Sequence, residues 1–247
     1  MKKSAKMTYI ISRALMFFVL IVSILGFILN DDQSVKGDYL FNIGQSVMFL
    51  VVTILPKYLK KFDLDIPDFV YIIFSLFCLA HFLCGEILGF FVKIKWWDSV
   101  LHTISGMLIA LLSFSLINLL NKSNGTGFKL NIWFATLFAF TMTLAIGALW
   151  EILEFLADIM FNLNMQRAYV STASGRGEAL VGTLALTDTM KDLILDSIGG
   201  LFTCTICALS VVKKKVNIED LSVIKIKKKP DDNNLKNVTK STFDEKN

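Results

Sequence analysis

Charge is the first thing this chain lacks. Only 19% of its residues are Asp, Glu, Lys or Arg, where a soluble domain carries about a quarter. No phosphate-cradling glycine loop, serine nucleophile elbow or dinucleotide fingerprint interrupts it, which removes the common nucleotide- and acyl-handling motifs. Cysteine is sparse: Cys78, Cys84, Cys204 and Cys207 all lie within apolar segments, so no disulfide framework is written here. Cys204 and Cys207 form a CxxC flanked by Thr, Ile, Ala and Leu, and they read as small buried hydrophobes. The formal charge of +4 is not a basic surface either. From Lys213 onward ten Lys face six acids, which accounts for the whole excess and leaves no case for nucleic acid.

What is present is apolar. Hydrophobic residues make up 54% of the 247, with 21 Phe and a mean hydropathy of +0.60. They gather into runs that meet or pass the ~18 residues of a transmembrane helix. We expect an all-α polytopic membrane bundle of six spans, at about 9–29, 39–55, 68–91, 98–120, 131–161 and 187–212. A basic cytoplasmic tail, 213–247, is expected to be disordered because it is charged, Asn-rich and poor in aromatics. The first run follows Lys2, Lys3 and Lys6 like a signal peptide, but it is too long and no small-residue cleavage site follows. It reads as a retained helix whose Arg13 snorkels to the interface. Run five spans ~46 Å as a helix against a ~30 Å hydrocarbon core, so its far end tilts or projects.

Lys and Arg set the orientation. With the N-terminus inside, Lys57, Lys60, Lys61, Lys122, Lys129 and the Lys213 cluster fall on the cytoplasmic side, while the outer loops keep Lys36, Lys93, Lys95, Arg167 and Arg176. That bias places both termini in the cytoplasm of a cell-membrane protein.

The ionisable residues then collect in the outer leaflet. His81 and Glu86 lie in the outer half of span three, and Asp98 and His102 in the first turns of span four. Glu151, Glu154 and Asp158 occupy the outer end of span five, and Asp188, Asp192 and Asp196 the start of span six. The spacings i,i+4, i,i+3,i+7 and i,i+4,i+8 put each set along one helix face. His81 and Glu86, five apart, stand ~140° apart on an α-helix and need not share a site. Plainer roles compete: Asp98 and Asp188 stand where N-caps would, and Asp158 where a solvated helix end would. Glu151, Glu154, Asp192 and Asp196 sit inside helices, where the plain alternative is an internal hydrogen-bond network.

Carboxylates inside a membrane face a bundle interior or water and mark function. Unpaired, they must be protonated, hydrated or metal-bound. Bundle proteins build metal sites from His and acids on facing helices. A divalent metal ion is therefore the expected cofactor, with Asp98, His102, Glu151, Glu154, Asp188, Asp192 and Asp196 as its candidate ligands and His81 as a weaker one. A Glu-x-x-His ligand motif is absent. His102, Glu154 and Asp192 are the candidate catalytic residues.

Asp98-x3-His102-x3-Gly106, then Glu151-x2-Glu154, then Asp188-x3-Asp192 ahead of Gly199 resembles the YjdF-like family of uncharacterised bacterial inner-membrane proteins. The likeness covers spans three to six. A weaker one, to VanZ-like membrane proteins, rests on the Asp-x3-His and a later acidic helix end. This chain departs from YjdF-like members at Asp188, reading DTMKD where they have aromatic and Gln residues around the two Asp. The resemblance implies a multi-pass protein with a shared polar site and no established reaction. From the residues we expect a membrane-embedded enzyme acting on a lipid or head group, with membrane lipids as its partners. An ion- or proton-coupled transporter and a non-catalytic structural or immunity-type protein are the alternatives.

Overall fold

The computed structural model describes residues 3–59, 64–65, 67–123, 131–172, 175–217 and 221–226. Lys2, Lys60, Lys61, Lys129 and the tail beyond 226 lie outside them. The helices are α1 (Lys3–Leu29), α2 (Gln33–Val52), α3 (Leu55–Leu59), α4 (Asp68–Cys78) with a π-helical continuation (Leu79–Ile87), α5 (Phe90–Lys93), α6 (Trp97–Ser123), α7 (Ile132–Phe161) and α8 (Thr183–Val212). Six of these segments are long and apolar enough to cross a membrane: Lys3–Leu29, Val35–Tyr58, Asp68–Ile87, Trp97–Asn118, Ile132–Phe161 and Thr183–Val212. Phe18, Ile28, Leu137 and Phe202 stay more than half exposed, as side chains facing lipid do.

The helices form two groups. α1 packs on α2 and α4, and α8 packs on α6 and α7; the π segment meets both α2 and α6. Glycine decides how closely α6 and α8 approach. A Cβ on Gly106 would collide with the Asp196 carbonyl, and one on Gly199 with that of Thr103. The two helices therefore touch backbone to backbone, and their polar faces are brought within side-chain reach of each other.

Away from the acids the second group is closed by Ala110, Phe114, Ala135, Ala139, Cys204 and Cys207. Cys204 is fully buried, with its thiol 3.7 Å from the Thr136 carbonyl, and all four cysteines are free. The CxxC is packing, as its neighbours suggested.

The start of α1 and residues 221–226 meet at the bundle end opposite the acids, hereafter the tail end. Ala5 of α1, Tyr71 of α4 and Ile224 pack together there. β1 (Leu64–Asp65) pairs antiparallel with β4 (Lys225–Ile226), and the amides of Val223 and Ile224 donate to Ser115 Oγ at 2.8 and 3.3 Å. Leu221–Ile226 is thus an ordered strap, which corrects the expectation of a wholly disordered tail. Arg13 also departs from expectation. Its Nη1 donates to the Leu50 carbonyl and to Thr53 Oγ1, both at 2.6 Å, so it joins α1 to α2 instead of snorkelling.

The acidic end is covered by the segment between α7 and α8. α7 ends on Asn162 in the left-handed conformation (φ 56°), a region Asn tolerates better than most residues. β2 (Tyr169–Thr172) and β3 (Gly175–Ala179) pair antiparallel farther along. Asn164 fastens the start of this segment, donating from Nδ2 to the Tyr169 carbonyl at 2.8 Å and accepting from the Tyr169 amide at 3.0 Å.

Candidate metal centre

α6 enters the site one turn at a time. Asp98 lies in its first turn, inside a helix that begins at Trp97, so it is not the cap the sequence suggested. His102 follows one turn later, its Nε2 3.6 Å from Asp98 Oδ1. Across the glycine contact, α8 presents Asp192 and Asp196. Asp192 Oδ2 lies 3.9 Å from His102 Nε2, and Asp196 Oδ2 lies 3.3 Å from His102 Nδ1. The imidazole is therefore held on one nitrogen and offered on the other. With its proton on Nδ1 toward Asp196, Nε2 is left as a lone-pair donor facing two carboxylates, the usual way a metal-ligating His is oriented. Ser105, also on α6, hydrogen-bonds the second oxygen of Asp196 and fixes that carboxylate in turn.

One ligand atom each from Asp98, His102 and Asp192 lies within 4.8 Å of the other two. Donors on opposite sides of one ion at ~2.1 Å stand ~4.2 Å apart, so small side-chain rotations would close the set. Asp98, Asp192 and Asp196 are 7%, 2% and 2% exposed. Oδ2 of Asp98 and Oδ1 of Asp192 are buried without a hydrogen-bond partner, with only ion-pair neighbours, Arg167 at 3.5 Å and Lys191 at 4.0 Å. Buried carboxylate oxygens are ordinarily bonded; these two belong to residues whose donor set could hold a metal ion.

The remaining candidates separate by position. Glu154 is 9% exposed and accepts from Trp150 Nε1 at 2.8 Å. Asp188 is not a cap, since α8 starts at Thr183 with Gly182 before it, and it pairs with Arg167 Nη1 at 3.3 Å. Glu151 is 4% exposed, with neither carboxylate oxygen hydrogen-bonded, beside Gln166, which donates to the Glu151 carbonyl and to Thr189 Oγ1. Asp158 is buried, not solvated: its oxygens accept from the amides of Met165 at 2.7 Å and Gln166 at 3.1 Å. It staples the covering segment to α7 and is taken up by that task.

Arg167, read in the sequence as an outer-loop cation and not as a site residue, turns into the site. It adopts φ 49°, uncommon for a residue with a Cβ, directly after the amides that Asp158 holds. That conformation places its guanidinium 3.5 Å from Asp98 and 3.3 Å from Asp188. A loop Arg seen in sequence gives no sign that it turns back into the bundle.

Two chambers of about 320 Å³ each meet at Asp98. The polar one is bounded by Glu86, Asp98, Glu154, Arg167, Asp188 and Asp192. The other is apolar apart from the end formed by His81, Asp98, His102, Ser105 and Asp196. Here the π segment matters. Its i→i+5 winding, seen in the 2.8 Å bond from the Leu88 amide to the Leu83 carbonyl, brings residues five apart nearer one face than an α-helix would. His81 and Glu86 nevertheless border different chambers. The His81 ring packs edge-on to Phe82, Phe91 and Trp150 at 4.8–5.3 Å, with Nε2 unbonded. It stands behind the site, not among the close ligand set.

A family model described as "Predicted membrane protein (DUF2238)" matches residues 11–213, most of the chain and every residue named above in the two chambers. The chain belongs to the DUF2238 family. It is the family the YjdF-like resemblance named, while the VanZ-like resemblance rests on its residues alone. A relative from Thermotoga maritima, described as an uncharacterized protein, is 31% identical over 152 residues. That alignment covers 61% of this chain and 66% of the relative, so the chain spans just under two thirds of its length. No solved structure matches.

Proposed function

We propose that this protein is a divalent-cation-dependent, membrane-embedded enzyme acting on the polar group of a lipid in the outer leaflet. One observation carries the reading: donor atoms of Asp98, His102 and Asp192 converge within 4.8 Å while buried oxygens of both aspartates lack hydrogen bonds. A cation there would polarise a phosphoryl or carbonyl oxygen or activate water. Asp196 would act through His102, holding its ring. Arg167, in the wall of the same chamber, would grip an anionic oxygen in its fork of donors. Glu154 faces that chamber and is the group placed to carry a proton. Glu151 and Asp188 stand near enough to tune the charge, and His81 stands behind.

The Lys asymmetry of the sequence supports an outward acidic end, with both termini cytoplasmic in the cell membrane. Ion-coupled transport would need a polar route through the tail half. The chamber continuing there from Asp98 is walled by residues such as Phe74, Phe77, Leu108 and Leu112, which supports chemistry at one surface.

Thermal unfolding of the detergent-solubilised chain in EDTA, then with Mn²⁺, Mg²⁺ or Zn²⁺, tests the cation. Binding at a hundredfold excess over Kd stabilises by ~2.7 kcal/mol, so the melting temperature should rise with at least one ion. Asp192→Asn keeps the shape and should blunt the rise; Asp220→Asn, in the tail, should not. A wild type indifferent to every ion, or an Asp192→Asn variant that responds as strongly, would sink the cation site.

A further inference from the structure

The apolar chamber is a groove between α4 with its π segment and α6, and the polar site forms one end of it. Along α6 it runs from Asp98 to Leu112. From Asp98 to Leu112 is fourteen residues, ~21 Å of helix, more than the ~15 Å of one leaflet of a ~30 Å hydrocarbon core. The tail end is floored by Val223 of the strap. Its sides are open: Phe69, Ile73, Leu112 and Ile146 are 53%, 42%, 42% and 38% exposed. At the other end, across Asp98, lies the chamber holding Arg167.

We infer that this groove seats one acyl chain of a membrane phospholipid whose phosphate lies in the polar chamber, which makes a phospholipid the substrate class. The inference rests on the cation-site reading. Three features select this occupant. The groove and the polar chamber share Asp98 as a wall, so a ligand that passes this residue and fills both is amphipathic. The groove runs from the acidic end to the strap as one apolar slot, the shape that an extended acyl chain below a polar group fills. The polar chamber is rich in carboxylates, which repel a phosphate unless a cation bridges them; the Asp98, His102 and Asp192 donors and Arg167 supply that bridge and a guanidinium fork.

The probe is phosphatidylglycerol carrying a diazirine near the end of one acyl chain, photolysed with the full chain in mixed micelles containing Mn²⁺. Labelled positions are mapped by peptide mass spectrometry. Labelling at Phe77, Ile109 and Leu112 should saturate at low lipid mole fraction. Labelling of the lipid-facing surface of α1 at Phe18 and Ile28, which are 63% and 66% exposed, should rise in proportion to lipid. Leu112→Trp and Ile73→Trp fill the groove from facing helices and should each cut the saturable labelling at least tenfold, leaving the α1 labelling and the Mn²⁺ melting shift as in wild type. Groove labelling that grows linearly with lipid, or survives both Trp variants, overturns the inference. Saturable groove labelling in a wild type without any metal shift keeps the groove and overturns the cation site instead.

Discussion

Asp196 shows how little a residue's charge alone says about its task. It has the same type, spacing and burial as Asp192, yet one carboxylate faces His102 Nδ1 and Ser105 while the other faces Nε2 and an unfilled space. The difference is made by which side of the imidazole each reaches. Asp196→Asn would keep the volume and weaken the hold on the ring. Loss of such a supporting partner typically costs 10–100-fold in metal affinity. A Mn²⁺ titration followed by electron paramagnetic resonance should show a fall of that order, with binding retained; Asp192→Asn should fall further. Equal losses in the two variants would mean that both are ligands. Sequence spacing found Asp98, His102, Asp192 and Asp196, though not Ser105, because i,i+4 steps on α6 and α8 are helical facts. It could not rank them, because rank depends on the facing helix.

At the scale of elements, Gly106 and Gly199 set the geometry. Side chains at either position would meet a backbone carbonyl of the opposite helix, which a rotamer change cannot relieve. Gly106→Ala and Gly199→Ala should each cost ~1–3 kcal/mol or more, the range for overpacking, read as a lower melting temperature in EDTA. They should also shrink the metal-dependent rise, since Asp98 and Asp192 move apart with the helices. Gly37→Ala, where nothing lies within 4 Å, is the control and should leave the rise unchanged. If the Gly106→Ala metal response equals wild type, the helix approach does not set the site. The π segment was beyond the sequence for a related reason: Leu79–Ile87 carries no local signal that sets its winding apart from the α-helix it continues. The covering segment was illegible too, since Asp158 takes its partners from the backbone just past α7 and Arg167 finds Asp98 and Asp188 only once α6 and α8 are side by side.

For the whole molecule, the apolar runs wrote the six spans, while orientation rests on lysines. Reporter fusions after Lys61, Lys129 and Lys215 should give cytoplasmic signals, and fusions within 165–180 an outside signal. A cytoplasmic signal from 165–180 would invert the molecule and move the acidic site to the inner leaflet. The tail was only half read. Its composition forecasts disorder, yet Ile224 finds an apolar seat beside Tyr71 and Ser115 receives two strap amides, contacts that no local pattern announces.

α7 is 30 residues long, ~45 Å of helix in a bilayer whose hydrocarbon is ~30 Å thick. Its first turn is anchored in the apolar cluster by Ile132, and Glu151, Glu154 and Asp158 ride on its last three turns. The surplus length emerges at their end, so the waterline falls across the carboxylates. A thinner bilayer uncovers the turn of Glu151, and a thicker one draws Glu154 under. Bilayers of different thickness sort and strain membrane proteins by this mismatch. The wetting of this acidic end is therefore set in part by the chain length of the lipids around it.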